Sequence, residues 1–157
     1  MQKIRPCLWF DHQAQEAAEF YVSLFPDSKI TDVVPFPEGM PGEPGTVMTV
    51  VFELNGQQYV GLNGGPQFTF SEAVSFQIHC DDQAEVDRLW AALSEGGEEG
   101  PCGWLKDRWG LSWQVIPVRL LELIQDPDAG RSRRATEAMM TMKKIDVAAL
   151  EAAADAG

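Results

Sequence analysis

The chain repeats itself. Glu16, Ala17, Phe20, Tyr21 and Leu24 recur as Glu85, Val86, Leu89, Trp90 and Leu93, a displacement of 69 positions (85 minus 16), so that "EAAEFYVSL" lies over "EVDRLWAAL". A second correspondence follows each of these segments: a displacement of 54 (110 minus 56) carries Gly56, Tyr59 and Val60 onto Gly110, Trp113 and Gln114. A degenerate tandem repeat accounts for both, with chance similarity between amphipathic helices as the alternative. A repeat of this period limits the chain to two copies of one supersecondary unit.

The first copy reads strand, helix, then three strands. "IRPCLWF" is a short apolar strand, and Ala17, Ala18, Phe20, Tyr21, Leu24 and Phe25 in the next stretch have helical spacing. "PDSKITDVVPF" is a turn and a β-branched strand, and "PEGMPGEPG" is a breaker-rich loop. "TVMTVVFEL" and "QQYVGLN" flank Asn55-Gly56, the strongest short hairpin signal, so one βαβββ module spans about residues 3–65. The second copy, about 74–118, opens with the strand "AVSFQIHC". A helix follows, capped by Asp81 or Asp82 and stopped by Gly96-Gly97, and then the hairpin "CGWLKDRWGLSWQVIP". The acidic runs "EGGEEG" and "AQEAAE" read as solvated surface. Beyond Pro117 a helical extension covers about 119–155, broken at Asp126-Pro127-Asp128, with Asp146 as the cap of its last helix.

A chain of 157 residues, 45% hydrophobic, can bury one domain's core. Its formal charge of −12 repels phosphate backbones and anionic bilayers, so nucleic acid and membrane are not expected partners. No apolar run of about 18 residues is present and the N-terminus lacks the apolar core of a signal peptide, which together predict a cytoplasmic protein. Cys7, Cys80 and Cys102 are odd in number and widely spaced, which suits neither a disulfide framework nor a zinc ribbon.

The phrases "PCLWFDHQAQEAAEFYVSLFPDSKI", "LNGGPQF", "GWLKDRWGLSWQVIP" and "MTMKKIDVAALEAA" resemble the vicinal oxygen chelate superfamily of glyoxalases, bleomycin-resistance proteins and extradiol dioxygenases. Within it they resemble the PhnB-like branch, labelled demethylubiquinone methyltransferase-like. The resemblance implies an α+β fold, one domain over 1–157: two tandem βαβββ modules whose curved, mostly antiparallel sheets form a cup, plus C-terminal helices. It also implies metal ligands on the first and last strand of each module in the metal-dependent members. The repeat places those positions at Pro6, Val60, Ser75 and Gln114, or, one or two residues along, at Leu8, Leu62, Gln77 and Ile116. Neither set suits a divalent ion, so no metal and no cofactor is expected. "LNGGPQF" leads toward a strand instead of opening a helix, unlike the nucleotide-binding turn of a class I methyltransferase.

Alternation along the strands puts Ser75, Gln77 and His79 on one face and Phe76, Ile78 and Cys80 on the other. The same parity sends Trp113 and Val115 toward the helices and Gln114 and Ile116 into the cup, whose wall is also expected to hold Leu8, Phe10 and Leu62. Gln114 is then a cavity-lining amide or, alternatively, an exposed residue on an open sheet face. His79 could act as general acid or base, or be merely hydrogen-bonded. Asn63 could donate to a ligand that approaches the backbone at Gly64-Gly65, or belong to a turn. Trp104, with Trp109 and Trp113, could form an aromatic wall or pack on a helix. The ligand-binding candidates are therefore Gln77, His79, Gln114, Asn63 and Trp104, with His79 the one candidate for catalysis. The expected function is small-molecule binding, with or without turnover. The alternatives are a metal-dependent isomerase, lyase or dioxygenase using His12, His79 or acids near Glu53, and a ligand-sequestering protein of the resistance type. A homodimer is expected, the second subunit helping to build or cover the pocket.

Overall fold

A computed structural model describes residues 1–157. The chain divides into two compact units, Met1–Thr69 and Phe70–Gly157.

The first unit runs β1 (Cys7–Phe10), α1 (Ala14–Leu24), β2 (Lys29–Pro35), β3 (Val47–Leu54) and β4 (Gln57–Asn63). Its sheet has the order β1-β4-β3-β2, with β1 parallel to β4 and the other pairs antiparallel. Asn55 and Gly56 both take positive φ, 49° and 82°, the conformation a two-residue hairpin demands and glycine readily supplies. One face of the sheet packs on α1: Val50, Phe52 and Leu54 are buried there, and Phe52 links Tyr21 of the helix to Tyr59 of β4.

Leu8 and Phe10 lie on this same helix-covered face, a correction to their expected place in the cup. Leu8 pairs with Gly61, and a side chain at Gly61 would touch the Ala14 methyl at 3.2 Å and the Phe10 ring at 3.7 Å. A parallel β1–β4 pair carries the face identity of β4 onto β1, so burying Gly61 under α1 buries Leu8 with it. Cys7 and Trp9, paired with Val60 and Leu62, take the opposite face.

The second unit repeats the plan with β5 (Ser75–Cys80), α2 (Gln83–Ser94), β6 (Glu98–Glu99), β7 (Trp104–Lys106) and β8 (Ser112–Pro117), in the sheet order β5-β8-β7-β6. Asp82 caps α2 by accepting a hydrogen bond from the Glu85 N–H at 2.9 Å. Val86, Leu89, Trp90 and Leu93 form the helix's buried stripe, and Ile78, Cys80, Leu105, Trp113 and Val115 are buried on the sheet. Part of the acidic run read as surface is the strand β6, whose Glu99 carboxylate accepts from the Trp90 indole at 2.9 Å.

Three helices follow: α3 (Val118–Ile124), α4 (Ala129–Met139) and α5 (Val147–Asp155), with Asp128 and Asp146 as side-chain caps of the last two. Leu120, Leu123, Ala135, Ile145, Leu150 and Ala154 form their core, and Ile116 belongs to it. The end of β8 is thus covered by helices of its own unit, where the sequence placed Ile116 in an open cavity. The extension also grips the β6–β7 turn, since the Cys102 and Gly103 N–H groups donate to the Met142 and Lys143 carbonyls, each at 2.8 Å.

Candidate functional site

The face of the second sheet opposite α2 is built by register. Trp104, Gln114 and Gln77 lie in one row across β7, β8 and β5; Lys106, Ser112 and Ser75 form the next, continued onto β6 by Glu98; Ile116 and His79 form the third. Paired residues share a face, so the five-residue candidate set divides cleanly. Gln77, His79, Gln114 and Trp104 come together on this face, while Asn63 belongs to the first unit.

Three of these side chains are chained by hydrogen bonds. The Gln77 amide N–H donates to Gln114 Oε1 at 3.1 Å, and Gln114 Nε2 donates to Ser75 Oγ at 2.7 Å. The direction leaves Gln77 Oε1 as an acceptor at one end and the Ser75 hydroxyl hydrogen as a donor at the other. Gln77 and His79 are exposed and Gln114 half-buried. A cleft of about 540 Å³ adjoins the rows, bordered by Trp104, Lys106, Ser112, Pro101, Glu72 and Glu98. Of the candidate residues, Trp104 borders it directly. The Lys106 ammonium is ion-paired with Glu72, and that contact holds the Glu72 carboxyl below its ordinary range and lifts the Lys106 ammonium above its own.

Trp113 takes no part in this face. It is buried on the α2 side, edge-on to Phe76 with ring centres 5.2 Å apart, so the expected three-tryptophan wall loses Trp113.

In the first unit Asn63 is a structural residue. Its Oδ1 accepts from the Ala14 N–H at 2.9 Å, at the start of α1, and its Nδ2 donates to the Val47 carbonyl at 3.0 Å. The close approach that Gly64-Gly65 permits is filled from within: a side chain at Gly64 would lie 2.4 Å from the Trp9 ring, and Trp9 Nε1 donates to the Gly65 carbonyl at 2.9 Å. A ligand is not needed to explain either glycine. A wider depression of about 870 Å³ lies nearby, between Trp9, His12, Phe36, Met40 and Leu62.

The metal positions implied by the resemblance are refined by register. Val60 pairs with Cys7 as Gln114 pairs with Gln77, which equates Cys7 with Gln77 at a displacement of 70 (77 minus 7). Valine offers no donor, and burial pushes the Cys7 thiol up against the opposing pull of Arg5. The two glutamines are neutral amides already bonded to each other. Divalent transition ions want imidazole, thiolate or carboxylate ligands, and no group of three His, Cys, Asp or Glu side chains converges anywhere in the chain. The residues present do not fit a resident metal ion. Nor is a nucleotide turn formed, because β4 leads through Gly64-Gly65 into an irregular segment that reaches β5 without a helix.

With this geometry in view, comparison with known proteins identifies the relatives. The profile of the 3-demethylubiquinone-9 3-methyltransferase family matches residues 2–116, well over half of the chain. A solved PhnB protein from Bacillus cereus, described as a 3-demethylubiquinone-9 3-methyltransferase, is 34% identical, with 74% of this chain and 99% of that one covered and a TM-score of 0.67. Protein PA1353 from Pseudomonas aeruginosa, 22% identical over 74% of this chain and 98% of its own, shares the fold at a TM-score of 0.62. Comparison with functionally curated proteins gives no match. The chain belongs to the PhnB-like, 3-demethylubiquinone-9 3-methyltransferase family.

Proposed function

We propose that this protein binds a small organic molecule, without a metal, on the face of the second sheet opposite α2. The observation that carries the reading is the hydrogen-bonded chain Gln77–Gln114–Ser75. Each amide is held in one orientation by its neighbour, so the row offers a fixed acceptor and a fixed donor at little ordering cost on binding. Trp104, next in the row, supplies an apolar surface. His79 stands at the edge of the same face and is the one imidazole there, the side-chain type most often used as a general acid or base. The same face serves sequestration if the ligand is released unchanged.

A thermal-shift screen of metabolites and antibiotics, followed by titration of any hit, tests the site. Gln114→Ala is expected to weaken binding about tenfold, the loss of about one hydrogen bond to a fixed partner. A hit whose affinity is unmoved by both Gln114→Ala and Gln77→Ala would place the ligand elsewhere. Turnover is decided by whether the ligand recovered after incubation is chemically changed.

The working unit in this reading is the whole of 1–157, assembled as a homodimer in the cytoplasm. Exposed apolar side chains such as Ile4, Phe68 and Val74 support assembly. Three unpaired thiols fit a reducing compartment.

A further inference from the structure

Ser112 is fully buried, and its hydroxyl is the one buried side-chain polar atom of the chain without a hydrogen-bond partner. Leaving a buried hydroxyl unpaired is costly, and such an atom in a native fold calls for an explanation, of which a bound water, ion or ligand is one. Ser112 is also one of the residues that border the 540 Å³ cleft of the second unit.

The cleft's charge indicates what kind of molecule suits it. Glu72 and Glu98 border it against a single ammonium, Lys106, a local balance of one negative charge (two minus one), while the Glu99 carboxylate is engaged by the Trp90 indole on the α2 side. Lys106 is already engaged by Glu72, and Glu98 lies opposite Lys106 in the β6–β7 register. The chain as a whole carries −12, which reinforces the sign of the local field. Trp104 and Pro101 give the cleft a flat apolar wall, and an aromatic ring face attracts a cation as well as an apolar body.

We propose that the cleft binds a small organic amine: a flat apolar body against Trp104, a protonated nitrogen in the field of Glu98 and Glu72, and a neutral hydroxyl or carbonyl oxygen hydrogen-bonded to Ser112. This rests on the face opposite α2 being the ligand-binding face, and it adds the chemical class. The hydroxyl of Ser112 both donates and accepts, so a ligand hydroxyl satisfies it fully.

Four probes of one frame test the proposal: tyramine, its neutral alcohol analogue tyrosol, its carboxylate analogue 3-(4-hydroxyphenyl)propionate, and phenethylamine, which lacks the hydroxyl. Each is titrated at low salt and pH 7 into isotopically labelled full-length protein while the Trp104 indole N–H resonance is followed. Tyramine is expected to bind tightest, tyrosol and phenethylamine about tenfold more weakly, and the carboxylate not measurably. Glu98→Gln should erase the preference of tyramine over tyrosol, and Ser112→Ala the preference of tyramine over phenethylamine, with the folded spectrum retained in both. Binding of the carboxylate as tight as that of tyramine overturns the proposal, as do preferences that survive both substitutions. If no probe binds while a screening hit still depends on Gln114, the amine class is wrong and the broader reading stands.

Discussion

Burying a carboxylate is unfavourable unless hydrogen-bond donors replace its water, and Asp107 meets that condition with three. Its Oδ1 accepts from the Trp109 and Leu111 N–H groups at 2.9 and 3.1 Å, and its Oδ2 from the Trp113 indole at 2.9 Å. It therefore sets the β7–β8 turn and, through Trp113, the packing of α2 on the sheet. Asp107→Ala is expected to cost on the order of 3 kcal/mol, because a buried indole N–H and a buried backbone N–H lose a charged acceptor; urea unfolding followed by tryptophan fluorescence measures it. Cys80 is the converse case, an ionisable group kept neutral. Burial, reinforced by Glu85 and Asp81, pushes its thiol from the ordinary 9.0 up to about 12. The folded chain thus holds a proton that the unfolded chain releases above pH 9, so this contribution to stability is complete below pH 9 and is lost as pH rises toward 12. Cys80→Ala should unfold with a shallower loss of stability between pH 9 and 11 than the parent chain, measured by urea midpoints at each pH. Equal slopes would show that the thiol does not contribute.

At the scale of elements, the C-terminal helices lie beyond the stretch that the family profile matches. The family profile ends at residue 116, and the Bacillus cereus protein is covered almost completely by 74% of this chain. The addition is not ornamental. Ile116 is buried by it, and the turn at Cys102-Gly103, which borders the cleft beside Trp104, is tied to the Met142 and Lys143 carbonyls. Gln83 at the start of α2 is also held, donating to the Ile145 carbonyl at 2.9 Å and accepting from the Val147 N–H at 2.8 Å. A chain ending at Pro117 should lose these ties and expose Ile116, lowering the melting temperature by on the order of 10 °C. Circular dichroism melting of the two lengths makes the comparison, and unchanged melting would mean that the sheet stands without the helices.

For the molecule as a whole, the excess of acid is the dominant property. A charge of −12 favours solubility and steers anions away, and it concentrates cations near acidic clefts. Self-association must overcome the same repulsion, so the proposed homodimer should tighten as salt screens it. Light scattering at micromolar concentration and physiological salt is expected to give about twice the 17.4 kDa chain mass. A chain-mass particle that still binds ligand would show that the second subunit is no part of the site. No helix is long and apolar enough to cross a membrane.

What the sequence determined by itself is what local spacing encodes. The helical stripe of Val86, Leu89, Trp90 and Leu93, the Asn55-Gly56 hairpin, a cap at Asp81 or Asp82 and another at Asp146, and the sharing of a face by Ser75, Gln77 and His79 all follow from contacts within a few residues or from the pleat of one strand. Alternation says which residues share a face, but it is silent on which face a helix will cover. Only the tertiary pairing of β1 with β4, some 53 positions apart (60 minus 7), put Leu8 and Phe10 under α1. The same kind of distant contact gave Asn63 its cap on α1 and laid Trp9 over Gly64. The strand β6 is two residues long and has no period to read; it exists because β7 lies beside it. The burial of Ser112 without a partner depends on what surrounds it in three dimensions, which no window of sequence contains.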